Sequence, residues 1–147
     1  MLTLNACAPV LVRLGVCGVV LWFGLNQLAS PGLFVGYVPG WARALAAPEA
    51  FVRANGAFET VFGLLLLLGA FTRAAALMLA LHLAGITVTV GYNEIGARDF
   101  AITLAASSIV CAGPDAWSLD RRLLRSKFRR TGLGRIVYRL DKPHTPL

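Results

Sequence analysis

Four long stretches of the chain are almost wholly apolar, and polar residues are concentrated at their ends and between them. The stretches cover residues 9–28, 55–73, 74–90 and 98–112. Each is close to the length of about 20 residues that an α-helix needs to cross a bilayer. Apolar positions run continuously and do not alternate, which excludes the strands of a membrane barrel. The pattern therefore predicts four membrane-spanning helices.

The connections between these stretches differ in length and composition. The second stretch ends with a turn at residues 71–73 that leads directly into the third, so the two should be antiparallel neighbours. A short polar turn at residues 92–97 precedes the fourth stretch. Residues 30–53 are rich in Pro and Gly and are predicted to form a loop.

This long loop also carries aromatic side chains, which leaves two interpretations open. Aromatic rings favour the interface between membrane and water, so the loop could lie on the membrane surface. Loops of this length without a role are uncommon, so it could instead be a lid over a site near Glu59. The aromatic residues are Phe34, Tyr37, Trp41 and Phe51.

Composition supports an integral membrane protein. Of the 147 residues, 57% are hydrophobic and only 14% are charged, and the mean hydropathy is +0.69. A soluble domain typically has about 25% charged residues. Spanning segments must satisfy their own backbone hydrogen bonds, which favours helices. The predicted fold is all-α, a polytopic membrane four-helix bundle over residues 1–116 with a basic cytoplasmic tail over residues 117–147. A signal peptide at residues 13–30 is the rival interpretation of the first stretch.

Positive charge is concentrated at the end of the chain. The net charge is +7, and nine of the 14 Lys and Arg residues follow residue 116. Positively charged segments favour the cytoplasmic side, so both termini should be cytoplasmic. An apolar stripe among the arginines predicts an amphipathic tail that lies along the membrane and meets anionic lipid, and nucleic acid is not an expected partner. The stripe consists of Leu119, Leu123, Leu124 and Phe128.

Glu59 is the main candidate for chemistry. An ionisable side chain at the centre of a spanning helix costs about 2.5–3.5 kcal/mol for Asp, Lys or Arg on insertion scales. Glu59 should therefore face protein or water. Gly56 and Gly63 lie on the same face of the helix and would allow a neighbouring helix to approach closely.

Three further residues complete the candidate catalytic set: His82, Arg98 and Asp99. Arg98 is expected to pair with Glu59, because both lie near the outer ends of their predicted helices. The pair would be either part of a proton relay or an internal ion pair, and Asn26, at the matching depth of the first stretch, could add a hydrogen bond. His82 lies in the middle of the third stretch and could join a relay. Asp99 is either a cap at a helix N-terminus or a site residue.

Motifs for bound cofactors are missing from the sequence. The spacing of Cys7, Cys17 and Cys111 shows no paired framework, and these residues are predicted to be small apolar fillers. No metal site is expected, and neither an iron–sulfur cluster motif nor a dinucleotide fingerprint is present. The chain on its own is therefore not expected to be a complete oxidoreductase.

Several motifs resemble those of the DoxX-like family of four-helix integral membrane proteins. They are RLGVCG at 13–18, WFGLNQL at 22–28, GAFETVFG at 56–63, LLLGAFTR at 66–73, the Arg98-Asp99 pair and GPDAWSLD at 113–120. The resemblance implies a redox-associated subunit of the bacterial cytoplasmic (inner) membrane. Such a subunit would support oxidoreduction of a quinone or a sulfur compound within a larger membrane complex, with quinone as a candidate cofactor. The alternative is a non-catalytic accessory subunit that stabilises or scaffolds a respiratory or other energy-transducing complex.

Overall fold

The protein is an all-α bundle built on four long helices. The computed structural model describes residues 4–125, with the side chains of residues 7–123. Two short 3₁₀ turns, at Pro31–Leu33 and Val35–Tyr37, follow the first helix. The helices are α1 (Leu4–Ala29), α2 (Gly40–Arg43), α3 (Pro48–Leu68), α4 (Thr72–Val90), α5 (Glu94–Ala112) and α6 (Leu119–Arg125).

Four of these helices are long and apolar enough to cross a membrane. The candidate spans are Cys7–Ala29, Pro48–Leu68, Thr72–Val90 and Glu94–Ala112. This result confirms the predicted fold class. The domain boundary at residue 116 stays a prediction. The greater part of the predicted basic tail, residues 126–147, lies outside the described residues.

All four long helices begin earlier than the sequence pattern predicted, and the second and fourth spans show the reason. The second span starts at Pro48, well inside the predicted loop. Pro48 was interpreted as a helix breaker, but proline fits the first turn of a helix, where its missing N–H would be unpaired. The fourth span starts at Glu94 and not at Arg98, because Asn93 caps it. The connecting segment is therefore residues 30–47, and it is partly helical.

The helices pack as two close pairs, α1 with α3 and α4 with α5, which also contact each other. Glycines bring α1 and α3 together. A Cβ atom on Gly56 would lie 2.8 Å from the carbonyl oxygen of Gly24, and one on Gly24 would lie 2.7 Å from Thr60 Oγ1. Because helices in lipid associate through packing and polar contacts, such close approach stabilises the pair.

A dry core lies between the helix pairs. Leu66, Leu79 and Cys17 are fully buried there, together with several alanines. Cys17 thus acts as the apolar filler that the sequence predicted. Cys7 is half-buried, Cys111 is exposed on the surface of the bundle, and all three cysteines are free.

One end of the bundle, which we call the tail end, holds the turn at residues 69–71 and the segment at residues 113–118. Arg13 of α1 is buried there and pairs with Asp115, with Arg13 Nε 2.5 Å from Asp115 Oδ2. Arg13 also donates to the carbonyls of Leu66 and Leu67 at the C-terminus of α3. These contacts satisfy carbonyls that the helix leaves unpaired.

Asp120 binds the N-terminus of α4 at the tail end. Its carboxylate accepts hydrogen bonds from the backbone N–H groups of Phe71 and Thr72 and from Thr72 Oγ1, at 3.0, 2.7 and 2.8 Å. It therefore caps α4, whose own N-cap residue, Phe71, provides no side-chain cap. We refer to Arg13, Asp115 and Asp120 as the tail-end lock. The opposite end, with residues 30–47 and 91–93, is the loop end.

Candidate functional site

Glu59 lies near the middle of α3 and is buried. It is the twelfth of 21 helical residues, and 3% of its surface is exposed. At 1.5 Å per residue, it is roughly 14 Å from the nearer end of the helix. The sequence placed Glu59 near the outer end of its span, because the helix was expected to begin later. The carboxylate therefore lies further along its own helix than predicted, and it faces protein.

Two neutral amides hold the carboxylate. Gln27 Nε2 donates to Glu59 Oε2 at 3.2 Å, and Asn55 Nδ2 lies 3.2 Å from Glu59 Oε1. Asn55 Nδ2 also lies 2.8 Å from Gln27 Oε1, so the three side chains form a closed cluster. Close approach of α1 and α3 at Gly24 and Gly56 makes this possible, because it brings Gln27 within reach of α3.

His82 faces Glu59 from the middle of α4. It is the eleventh of the 19 residues of that helix. Its Nε2 lies 3.6 Å from Glu59 Oε1, which is longer than a hydrogen bond, and it has no hydrogen-bond partner in the described part of the chain. The imidazole packs on the Phe58 ring, with centroids 4.5 Å apart and planes tilted by 33°. Phe58 thus holds the imidazole beside the carboxylate.

The predicted pairing of Glu59 with Arg98 is wrong. Arg98 Nη2 lies 2.7 Å from Asp99 Oδ1, and Arg98 Nε donates to the same oxygen at 2.8 Å. The guanidinium carbon lies 3.8 Å above the centre of the Phe23 ring, a favourable cation–π geometry. The Arg98 guanidinium is therefore engaged by Asp99 and Phe23, and His82 faces Glu59 instead.

Asp99 does not cap its helix, although capping was one of two interpretations. Asn93 is the cap: its side-chain oxygen accepts hydrogen bonds from the N–H groups of Ile95 and Gly96, at 3.0 and 2.9 Å. Asp99 lies further along α5, is 2% exposed and binds Arg98. It is therefore a buried charge partner.

A cavity of about 700 Å³ contains this polar group. Its walls come from α1, α3, α4, α5 and the segment that joins α1 to α3. That segment contributes aromatic side chains to the wall, as the lid interpretation predicted. The volume is in the range of about 300–1,000 Å³ that is typical of small-molecule sites. The aromatic lining residues are Phe23, Phe34, Tyr37, Trp41 and Phe51, and the charged or titratable ones are Glu59, His82, Glu94, Arg98 and Asp99.

All four candidate catalytic residues of the sequence analysis line this cavity, but the amide partners of Glu59 were missed. Asn26 was expected to assist Glu59, whereas its side chain donates to Trp22 O within α1. Gln27 and Asn55 bind the carboxylate instead. The sequence spacing could have indicated both residues. Asn55 precedes Glu59 by four residues and therefore shares its face of α3. Gln27 follows Gly24 by three residues and therefore lies on the face of α1 that approaches α3.

The composition of the lining resembles that of sites for organic ligands. Within residues 4–125, no three His, Cys, Asp or Glu side chains are grouped so that they could hold a metal. The walls are mostly apolar, with a few polar groups, of which Glu59 and His82 lie at mid-helix positions. Such a combination is typical of sites for small amphipathic molecules.

Comparison with known proteins gives two matches and one negative result. The DoxX family profile matches residues 8–92, which include Gln27, Glu59 and His82. An uncharacterized membrane protein of Mycobacterium tuberculosis is 30% identical over 131 aligned residues, and the alignment covers 76% of this chain and 78% of the relative. No solved structure matches the chain.

Proposed function

Because the chain belongs to the DoxX family, we propose that it is a redox-associated integral membrane subunit. In this role it supports oxidoreduction of a quinone or a sulfur compound within a larger membrane complex. The complex supplies the electron acceptor, and this chain supplies a membrane-embedded site where protons are exchanged.

The observation that carries this proposal is the position of Glu59 and His82. A carboxylate and an imidazole face each other, 3.6 Å apart, inside a largely apolar cavity at mid-helix depth. Ionisable groups inside a membrane domain are expensive and are generally functional. Carboxylates and imidazoles are also the side chains that most often transfer protons in enzymes.

The expected chemistry is proton uptake coupled to electron transfer elsewhere. Oxidation of a quinol or a thiol-type sulfur compound releases protons together with electrons. The electrons pass to an acceptor in a partner chain, and Glu59 and His82 each accept one proton of the two that a quinol, or a pair of thiols, releases. Gln27 and Asn55 orient the carboxylate by donating to its two oxygens.

We place the protein in the bacterial cytoplasmic membrane, with both termini in the cytoplasm. Support comes from the charge distribution, since nine of 14 Lys and Arg residues follow residue 116. In this orientation the cavity lies toward the outer side, and the basic tail contacts anionic lipid or the partner complex.

The test is purification of the protein in mild detergent from its native membrane. Identification of co-purifying chains and a visible spectrum show whether a redox complex is present. Glu59→Gln should lower turnover of that complex while leaving its composition intact. Glu49→Gln is the matched control, because Glu49 is an exposed carboxylate in the first turn of the same helix. Equal loss in both variants, or a complex without redox activity, contradicts the proposal.

A non-catalytic accessory role is the second candidate. It is favoured by the hydrogen bonds of Glu59, because the two amides tie α1 to α3 as a purely structural carboxylate would. On this alternative, Glu59→Gln reduces assembly or thermal stability of the complex in proportion to its loss of turnover. The ratio of turnover to assembled complex separates the two roles.

A further inference from the structure

The cavity carries the opposite charge to the chain as a whole. Three carboxylates line it (Glu59, Glu94 and Asp99) against a single arginine, Arg98. With His82 neutral the formal charge of the lining is −2, whereas that of the whole chain is +7. A low-dielectric cavity lined by one sign of charge concentrates ions of the other sign.

Arg98 does not offset the charge of Glu59, because its guanidinium is already held by Asp99 and lies on the Phe23 ring. Among the residues that the structure describes, neither Lys nor Arg is paired with Glu59. Its donors are the neutral amides of Gln27 and Asn55. The Glu59 carboxylate thus has no fixed cation beside it among the described residues, and its own side chain is buried.

Aromatic rings line the same cavity as this carboxylate. Five of the 14 aromatic residues of the chain line the cavity, three of them from the segment between α1 and α3. Aromatic faces attract organic cations, and this attraction is strongest where water is excluded. On α4, the space beside Gly85 is open, so the cavity has room for a ligand.

We propose that the cavity binds a monovalent organic cation with an apolar or aromatic body, whose charge lies against Glu59 and whose body lies among the aromatic side chains. A neutral molecule of the same shape would leave the charge of Glu59 unbalanced. Cation binding and the redox role are separable, because binding can be measured on the purified chain without any electron acceptor.

The probe is methyltriphenylphosphonium, and its neutral counterpart is triphenylphosphine oxide, which carries the same three rings. Binding is measured on the full-length protein in detergent by titration calorimetry and by tryptophan fluorescence. Trp41 is the reporter: it lines the cavity, whereas the other two tryptophans, Trp22 and Trp117, do not. We expect the wild-type protein to bind the cation, to change its Trp41 emission, and to bind the neutral compound about tenfold or more weakly.

Glu59→Gln keeps the shape of the side chain and removes its charge. It should weaken cation binding by about tenfold or more and leave binding of the neutral compound unchanged. Glu49→Gln should bind the cation as the wild-type protein does. If Glu59→Gln does not fold, the proposal is still tested by comparing the affinities of the wild-type protein for the two compounds. Equal affinity for both compounds, no cation binding, or full cation binding by Glu59→Gln each overturns the proposal.

Failure of this test leaves the redox proposal standing, since a neutral quinone could still occupy the cavity. Conversely, the cation can bind to a chain that co-purifies with no redox partner. The two proposals therefore fail on different measurements: ligand affinity in one case, turnover per assembled complex in the other.

Discussion

His82 Nε2 lies 3.6 Å from Glu59 Oε1, and the two residues occupy the middles of adjacent helices, α4 and α3. The other contacts of the carboxylate come from the neutral side chains of Gln27 and Asn55. His82 is therefore the only titratable side chain that faces Glu59 closely within the described residues. The behaviour of either residue should depend on the other.

The first prediction is energetic coupling between these two residues. Glu59→Gln and His82→Gln should be non-additive in the free energy of unfolding, with an interaction of about 0.5–3 kcal/mol, as is usual for residues in contact. The measurement is a double-mutant cycle on detergent-solubilised protein, with unfolding by sodium dodecyl sulfate followed by circular dichroism.

The matched cycle combines Glu59→Gln with Arg98→Gln. Near-additive behaviour is expected there, because Arg98 is held by Asp99. Stronger coupling to Arg98 than to His82 would show that the carboxylate has a different partner in the membrane.

The second prediction concerns the tail-end lock. Arg13→Gln should destabilise the bundle by about 3–5 kcal/mol, because it leaves the buried Asp115 without its charge partner. It also removes the donor to the carbonyls of Leu66 and Leu67. Arg53→Gln is the control, since Arg53 is exposed. The measurement is the thermal unfolding midpoint of each variant in detergent solution. Equal midpoints for Arg13→Gln and Arg53→Gln would contradict a structural role for Arg13.

The third prediction tests the close approach of α1 and α3. Gly56→Ala places a methyl group 2.8 Å from Gly24 O and from the Gln27 side chain, so the helices must separate. Overpacking of this kind typically costs about 1–3 kcal/mol. Gly85→Ala is the control, since a Cβ there meets no atom within 4 Å. The unfolding midpoint should fall for Gly56→Ala and stay level for Gly85→Ala.

The fourth prediction is the orientation of the bundle. Reporter fusions after Leu147 and within residues 30–47 should lie on opposite sides of the membrane, the first in the cytoplasm. Alkaline phosphatase is active only outside and a fluorescent protein only inside, so the pair of reporters determines each side. Signals from the same side for both positions would exclude a four-span topology.

The fifth prediction concerns the basic tail. Deletion of residues 121–147 leaves the tail-end lock, including Asp120, in place, so the four spans should still insert. Binding to anionic vesicles should weaken, by about 1 kcal/mol for each basic residue near the surface, and high salt should remove the difference. Failure of the shortened chain to insert would instead make the tail a determinant of topology.

The spans were predictable because each membrane crossing requires a long apolar helix. Such an apolar run can be recognised in the sequence without any knowledge of long-range contacts. Their starting points were less predictable. Pro48 fits equally well as a breaker and as a first-turn residue, and the difference moved Glu59 from the start of its helix to the middle. Position along one helix does not by itself give the neighbours of a side chain, because Gln27 lies near the end of α1 and still contacts Glu59 at the middle of α3.

Side-chain partners at long separation could not be obtained from the pattern. Arg13 and Asp115 are 102 residues apart, and nothing local to either residue marks the other. Arg98 and Asp99 are adjacent in sequence, yet neighbours in a helix project in different directions, so their pairing was passed over. Only the positions of the helices relative to one another decide such contacts.

The depth of Glu59 has an electrical consequence in a living membrane. A charge that enters the cavity from the loop end crosses part of the membrane potential, about half for a site halfway across the bilayer. A full crossing is worth about 2.3 kcal/mol per elementary charge per 100 mV. Occupancy of the cavity by a cation or a proton would then change about sevenfold for each 100 mV. With the loop end outside, an interior-negative potential favours occupancy. The fraction of Glu59 that binds a proton or a cation would therefore increase with the membrane potential.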